Sequence, residues 1–177
     1  SLGSRGLGDV YKRQDLEKVK EIQIYTDENF PVESLEGARL IYSDSAIVRV
    51  VLHAANMERF VGQEANLKLS NGLHVYFYNP FGKPESELKA QEATIDEVNN
   101  IMESVNQVQV INSQGDLLET EHLIWNQETE KVYTEEFVKI TTKDEVIFGK
   151  GLESNQDFTK YVIKKISGTI MLNNSDE

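Results

Sequence analysis

A short phrase recurs three times in the second half of this chain: Leu88-x-Ala90-x-x-Ala93, then Leu118-x-Thr120-x-x-Leu123, then Ile147-x-Gly149-x-x-Leu152. An apolar residue, a small residue and a second apolar residue return about every 30 positions, the spacing of structural repeats. One supersecondary unit is being copied. In a strand, the first two residues of each copy share a face, and the step of three turns the last to the opposite face. A straight strand cannot bury all three.

A bulge or corner after Ala90, Thr120 and Gly149 restores the parity, because an extra residue bends a strand and re-aims the side chains beyond it. Leu88, Ala90, Ala93 and Ile95 then share one interior, as do Leu118, Thr120, Leu123 and Trp125. The expected product is a stack of bent strands forming a layered groove. β-rich runs are predicted at Ala38 to Tyr42, Ala46 to Ala54, Leu73 to Tyr78, Glu87 to Ile95, Ile101 to Ile111, Leu117 to Trp125, Lys131 to Thr142, Glu145 to Leu152 and Tyr161 to Leu172. Asn71-Gly72, Asn79 to Gly82, Asp96 to Asn100, Ser113 to Asp116, Asn126 to Glu130, Lys143-Asp144 and Asn155 to Phe158 read as the turns. Turn signals at this interval mark an all-β fold.

The chain has 177 residues, 30 acidic against 18 basic, for a formal charge of −12. That balance repels phosphate backbones, and without a basic run nucleic acid is not an expected partner. Cysteine is absent, which removes disulfides, zinc-thiolate sites and thiol nucleophiles. No apolar stretch reaches the ~20 residues that cross a bilayer as a helix.

Residues 1–14, SLGSRGLGDVYKRQ, are Gly-rich, without periodicity, and read as translated sequencing-adapter sequence. On that reading the natural N-terminus, with any signal or anchor it carries, is missing. Without them the charge is −14, from 15 basic and 29 acidic residues. Residues 15–34 read as a linker, 35–172 as one β domain and 173–177 as a frayed acidic tail.

Little in the sequence points to covalent chemistry, so the expectation is a protein that is not an enzyme and needs no cofactor or metal. His53, His74 and His122 lack ligand spacing. Glu119 and Glu121 sit about 7 Å apart by strand rise, as a glycosidase pair might be arranged, but they lie opposite Leu118 and Thr120 on the face meant for water. Gly149-Lys150-Gly151 lacks the helix and Lys-Ser/Thr of a phosphate loop. Trp125, Tyr133 and Phe137 suit a sugar-stacking platform or, more simply, cross-strand packing.

The stretch from Val108 through Gly115, Thr120, Leu123 and Trp125 to Tyr133-Thr134 and Phe137-Val-Lys-Ile140 resembles the lipopolysaccharide-transport β-jellyroll family. The opening Leu40-Ile-Tyr-Ser-Asp-Ser-Ala-Ile-Val-Arg49, the segment Gly149-Lys-Gly-Leu-Glu-Ser154 and Lys164-Lys-Ile-Ser-Gly168 carry the same likeness, closest to the LptC-like members. The resemblance implies two antiparallel sheets folded into an open trough, a β-jellyroll or β-taco with a lipid-holding groove. It implies a periplasmic protein, anchored to the inner membrane when full-length. Such a protein takes lipopolysaccharide from the inner-membrane ABC transporter and passes it to the periplasmic bridge. The groove residues expected on this basis are Ile47, Val75, Phe77, Leu88, Ala90, Val108, Val110, Leu118, Thr120, Leu123, Ile140 and Ile147. The last strand, with Tyr161, Ile163, Lys165, Ser167 and Ile170, would pair with an LptA-like bridge protein, and the first would face the transporter. A soluble LptA-like bridge subunit, or a structural or carbohydrate-binding β-solenoid module, are the alternatives.

Overall fold

A computed structural model of the protein describes residues 30–62 and 65–172, which leaves 1–29 and 173–177, and with them the adapter-like stretch, most of the linker and the tail, outside the described residues. Ten antiparallel strands follow in chain order: β1 (Glu33–Asp44), β2 (Ile47–Arg59), β3 (Leu67–Tyr78), β4 (Pro84–Ala90), β5 (Glu92–Asp96), β6 (Ile101–Asn112), β7 (Leu117–Asn126), β8 (Lys131–Thr141), β9 (Glu145–Asn155) and β10 (Tyr161–Met171). They form one sheet in the order β1-β2-β3-β4-β6-β7-β8-β9-β10, with β5 continuing the row of β4 between β3 and β6.

The meander has a local cause. Strand after strand ends on a residue whose side-chain oxygen accepts backbone N–H groups of the next turn. Asn79 caps Phe81 and Lys83, Asp96 caps Val98 and Asn99, and Asn112 caps Gln114 and Asp116. Asn126 caps Glu128 and Thr129, Thr142 caps Asp144 and Glu145, and Asn155 caps Thr159 and Lys160. These short polar side chains replace the ladder where it runs out, so each hairpin is fixed by its own sequence.

The sheet is creased. The ladder breaks at Gly37 and Ala55, at Asn71-Gly72, at Gln91, at Asn106-Gln107, at Glu121, at Glu135-Glu136 and at Gly151, and these positions align from strand to strand. Several carry positive φ: Gly37, Asn71, Gly72, Asn106, Gln107 and Gly151. The extra residues bend each strand, and the sheet folds into two layers across one line. Parity is restored as the repeat predicts: Leu88, Ala90, Ala93 and Ile95 are all buried, and so are Leu118, Thr120, Leu123 and Trp125.

The structure corrects several boundaries. Asn71-Gly72 is not a hairpin turn but the crease inside β3, which begins at Leu67. The predicted strand Glu87 to Ile95 is two strands separated by Gln91, whose N–H donates to the Asn106 carbonyl. β1 starts at Glu33, within the stretch read as linker. The two expected sheets are the two halves of a single continuous one.

Candidate functional site

The concave side of the crease is apolar from β1 to β9. Val75, Phe77, Leu88, Ala90, Val108, Val110, Leu118, Leu123 and Ile140 belong to one hydrophobic cluster, with Ile147 packed against it and Thr120 buried among them. The Thr120 hydroxyl donates to the Phe137 carbonyl at 2.8 Å, which satisfies it at the crease. The structure thus brings together eleven of the twelve expected groove residues. Ile47 is the exception: the bulge at Arg49 leaves it in the inward register, opposite Asp44 as Val50 is opposite Tyr42, but at the open hairpin end it is 39 % exposed.

The two layers meet opposite the crease through aromatic rings. Trp125 stands edge-on to Phe77, with centroids 5.2 Å apart, and edge-on to Tyr42 at 6.1 Å. Strands β3 and β7 are not neighbours in the sheet, so the Phe77–Trp125 contact crosses the interior. Burial, with the charge of Glu97 adding to it, raises the Tyr42 hydroxyl above its usual range.

The turn after β9 completes this closure. Trp125 Nε1–H donates to Gln156 Oε1 at 2.8 Å, Ser86 Oγ donates to the Gln156 carbonyl at 3.1 Å, and Asn112 Nδ2 donates to the Phe158 carbonyl at 2.7 Å. Phe158 is fully buried and stacks on Tyr161 with centroids 4.7 Å apart. The sequence reads Asn155 to Phe158 as a turn and gives neither Gln156 nor Phe158 a place in the interior. The available signal was an aromatic side chain inside a run of Asn, Gln and Asp.

Beside this turn Glu85 and Asp157 share a hydrogen bond. Glu85 is held above the usual carboxylate range by that bond and by partial burial; for Asp157 burial acts upward, but the bonds from Glu85 and Thr159 outweigh it and hold the group low. The pair therefore retains one proton more readily than two free carboxylates do. A folded-state pKa raised in this way favours the protonated Glu85, so its contribution is present at low pH and is lost as pH rises through the folded value. Glu85→Gln, which keeps a donor to Asp157 without a second charge, is expected to raise Tm by a few degrees at neutral pH and to leave it unchanged in mild acid; thermal melts at both pH values check this.

Glu119 and Glu121 lie outside. Glu119 pairs with Lys139 at 3.7 Å, Glu121 accepts the Gln107 backbone N–H at 3.1 Å, and both border an outward concavity of about 730 Å³ along with Gln91, Gln107 and exposed Phe137. Trp125, Tyr133 and Phe137 do not form a platform, since Trp125 is internal and Phe137 points outward beneath Lys150. Among the described residues no three His, Asp or Glu side chains gather as a metal site, and no helix is long and apolar enough to cross a membrane.

Both ends of the sheet are free edges. Among the described residues β1 pairs only with β2, and β10 only with β9. On β10, Tyr161 and Ile163 lean onto the core, Lys165 and Ser167 are exposed, and Ile170 points to solvent beyond a bulge between Ile166 and Gly168. Inner-face positions at these edges stay open: Leu35, opposite buried Met57, is 46 % exposed, and Ile166, opposite buried Gly149, is 61 % exposed.

No curated protein matches the chain. A family model described as LptC, lipopolysaccharide-assembly, LptC-related, matches residues 18–170, which takes in every strand of the creased sheet up to Ile170. With that match over most of its length, the chain belongs to the LptC-related lipopolysaccharide-assembly family, and its role is in lipopolysaccharide transport.

Proposed function

We propose that this protein holds the acyl chains of lipopolysaccharide against the concave face of its creased sheet and passes them along a stack of similar sheets. It receives lipopolysaccharide from the inner-membrane ABC transporter at the β1 side, and β10 pairs with an LptA-like bridge protein. It works in the periplasm, anchored to the inner membrane by a segment outside this chain. The observation that carries the reading is an apolar inner face that remains exposed at both free edges, at Leu35 and at Ile166. An acyl chain gains about 0.8 kcal/mol per buried methylene, and an unpaired edge strand supplies the hydrogen bonds for β-augmentation. Transfer of this kind needs no covalent step.

The test is saturable binding of lipopolysaccharide, followed by the emission of Trp125, the only tryptophan. Asp at Val110 or Leu118 would put a charge into a closed core and unfold it. Ile166→Asp is the discriminating change, because the side chain is on the inner face yet solvent-exposed. The wild type is expected to bind and the variant to bind several-fold more weakly with an unchanged Tm. A folded wild type that does not bind would sink the reading in favour of a packed structural or glycan-binding module.

A further inference from the structure

We propose that the β9–β10 turn is a removable plug, with Phe158 filling the part of the interior that an acyl chain enters. This rests on the lipid-binding reading and adds the element that controls access to it. Every other side chain in the hydrophobic cluster comes from a strand; Phe158 alone comes from a turn. A strand residue leaves the core only when its ladder breaks. Phe158 leaves when a few local bonds do.

Those bonds bridge the two layers opposite the crease. Ser86 in β4 and Asn112 at the end of β6 belong to one layer, and their side chains hold the carbonyls of Gln156 and Phe158. Trp125 in the other layer holds the Gln156 side chain, and the Gln156 N–H donates to the Glu130 carbonyl at 2.9 Å. The turn thus clasps the layers together at the side where they must part to admit a chain.

The clasp also carries strain. Phe158 has φ 56°, a left-handed conformation that is costly for a bulky side chain. Asp157 sits against Glu85, so two carboxyl groups face each other where the turn meets β4. Withdrawal of the turn relieves both. It leaves a slot beside Tyr161, on which Phe158 stacks, within the apolar cluster that Phe158 belongs to, a surface suited to methylene chains.

If the closed turn competes with lipid, apparent affinity is reduced by the fraction of molecules that are open, and loosening the plug restores it. The experiment titrates the full chain with hexa-acylated lipid A, reading Trp125 emission and, independently, bound lipid after gel filtration. Phe158→Ala removes the plug. Ser86→Ala keeps Phe158 but frees the Gln156 carbonyl, and it serves if the first variant fails to fold. Each is expected to lower the apparent Kd by about tenfold. Binding by a variant and not by the wild type supports the same conclusion. Wild-type binding with equal or weaker affinity in the folded variants overturns the plug and leaves lipid binding intact. Failure of wild type and variants alike overturns lipid binding, and the plug with it.

Discussion

Gly149→Ala should detach β10 from the rest of the sheet. A Cβ built at Gly149 lies 2.4 Å from Ile163 Cγ2 and 2.8 Å from the Lys165 backbone carbonyl oxygen. The methyl of Ile163 can turn aside; the carbonyl cannot without moving the strand. Gly149 has no positive φ, so its requirement is space alone, and an unhindered alanine there would be the better strand residue. Overpacking of this kind costs about 1–3 kcal/mol, and β10, held on one side only, is where the molecule can yield.

The expected result is loss of amide-exchange protection in β10 with protection retained in β6 and β7. The pairing proposed for the β10 edge should fall in parallel. Gly168→Ala is the control, because nothing lies within 4 Å of its added Cβ, and its effect should be small. Ile163→Ala in the Gly149→Ala background separates the two clashes. Partial recovery is expected, since the Lys165 carbonyl remains. Full recovery would show that the methyl contact alone enforces glycine, and unchanged protection in Gly149→Ala would show that β10 tolerates the shift.

The creased sheet was legible because two periodicities coexist in the sequence. Alternation along Leu73, Val75 and Phe77 marks a half-buried strand, and the step of three from Thr120 to Leu123 marks where it must bend. Both patterns are local, and both describe the structure. Asn71-Gly72 misled for a physical reason: the same positive-φ residues that make a two-residue hairpin also make a bulge, and only the partner strands decide between them. β1 was read short because Glu33 to Gly37 holds one apolar residue, Leu35, among Glu, Ser and Gly, and an edge strand tolerates polar residues that a central one does not.

The interior was legible residue by residue, but the way it closes was not. Ile47 keeps the inward register but is left exposed at the open end of the β1–β2 hairpin, and alternation does not encode where a strand outruns its cover. The partners of Trp125 were chosen from neighbouring strands, whereas its contacts, Phe77, Tyr42 and Gln156, come from across the fold or from a turn. Contacts between layers depend on the angle of the crease. Periodicity does not encode that angle, and so Phe158, a core side chain supplied by a turn, left no periodic trace.

Trp125→Ala should be among the most destabilising single changes in the protein, about 3–5 kcal/mol, the cost of removing a large buried aromatic ring from a core. Two losses combine. The indole ring bridges the layers through Phe77 and Tyr42, so its removal leaves a cavity between two half-sheets that no backbone ladder joins at that end. Its N–H is also the partner of Gln156 Oε1, which would be left buried without a donor. Trp125→Phe separates these contributions: it keeps most of the packing, loses the N–H, and should cost about 1–3 kcal/mol. Urea unfolding, read by far-UV circular dichroism because the only tryptophan is gone, gives the stabilities. In a double-mutant cycle with Gln156→Ala, the Trp125→Phe change should lose part of its effect once the acceptor is absent, because only the smaller ring's packing loss then remains. An undiminished effect would assign the indole's role to shape alone. In that case the clasp across the layers is held by Ser86 and Asn112, and Trp125 serves as wall rather than anchor.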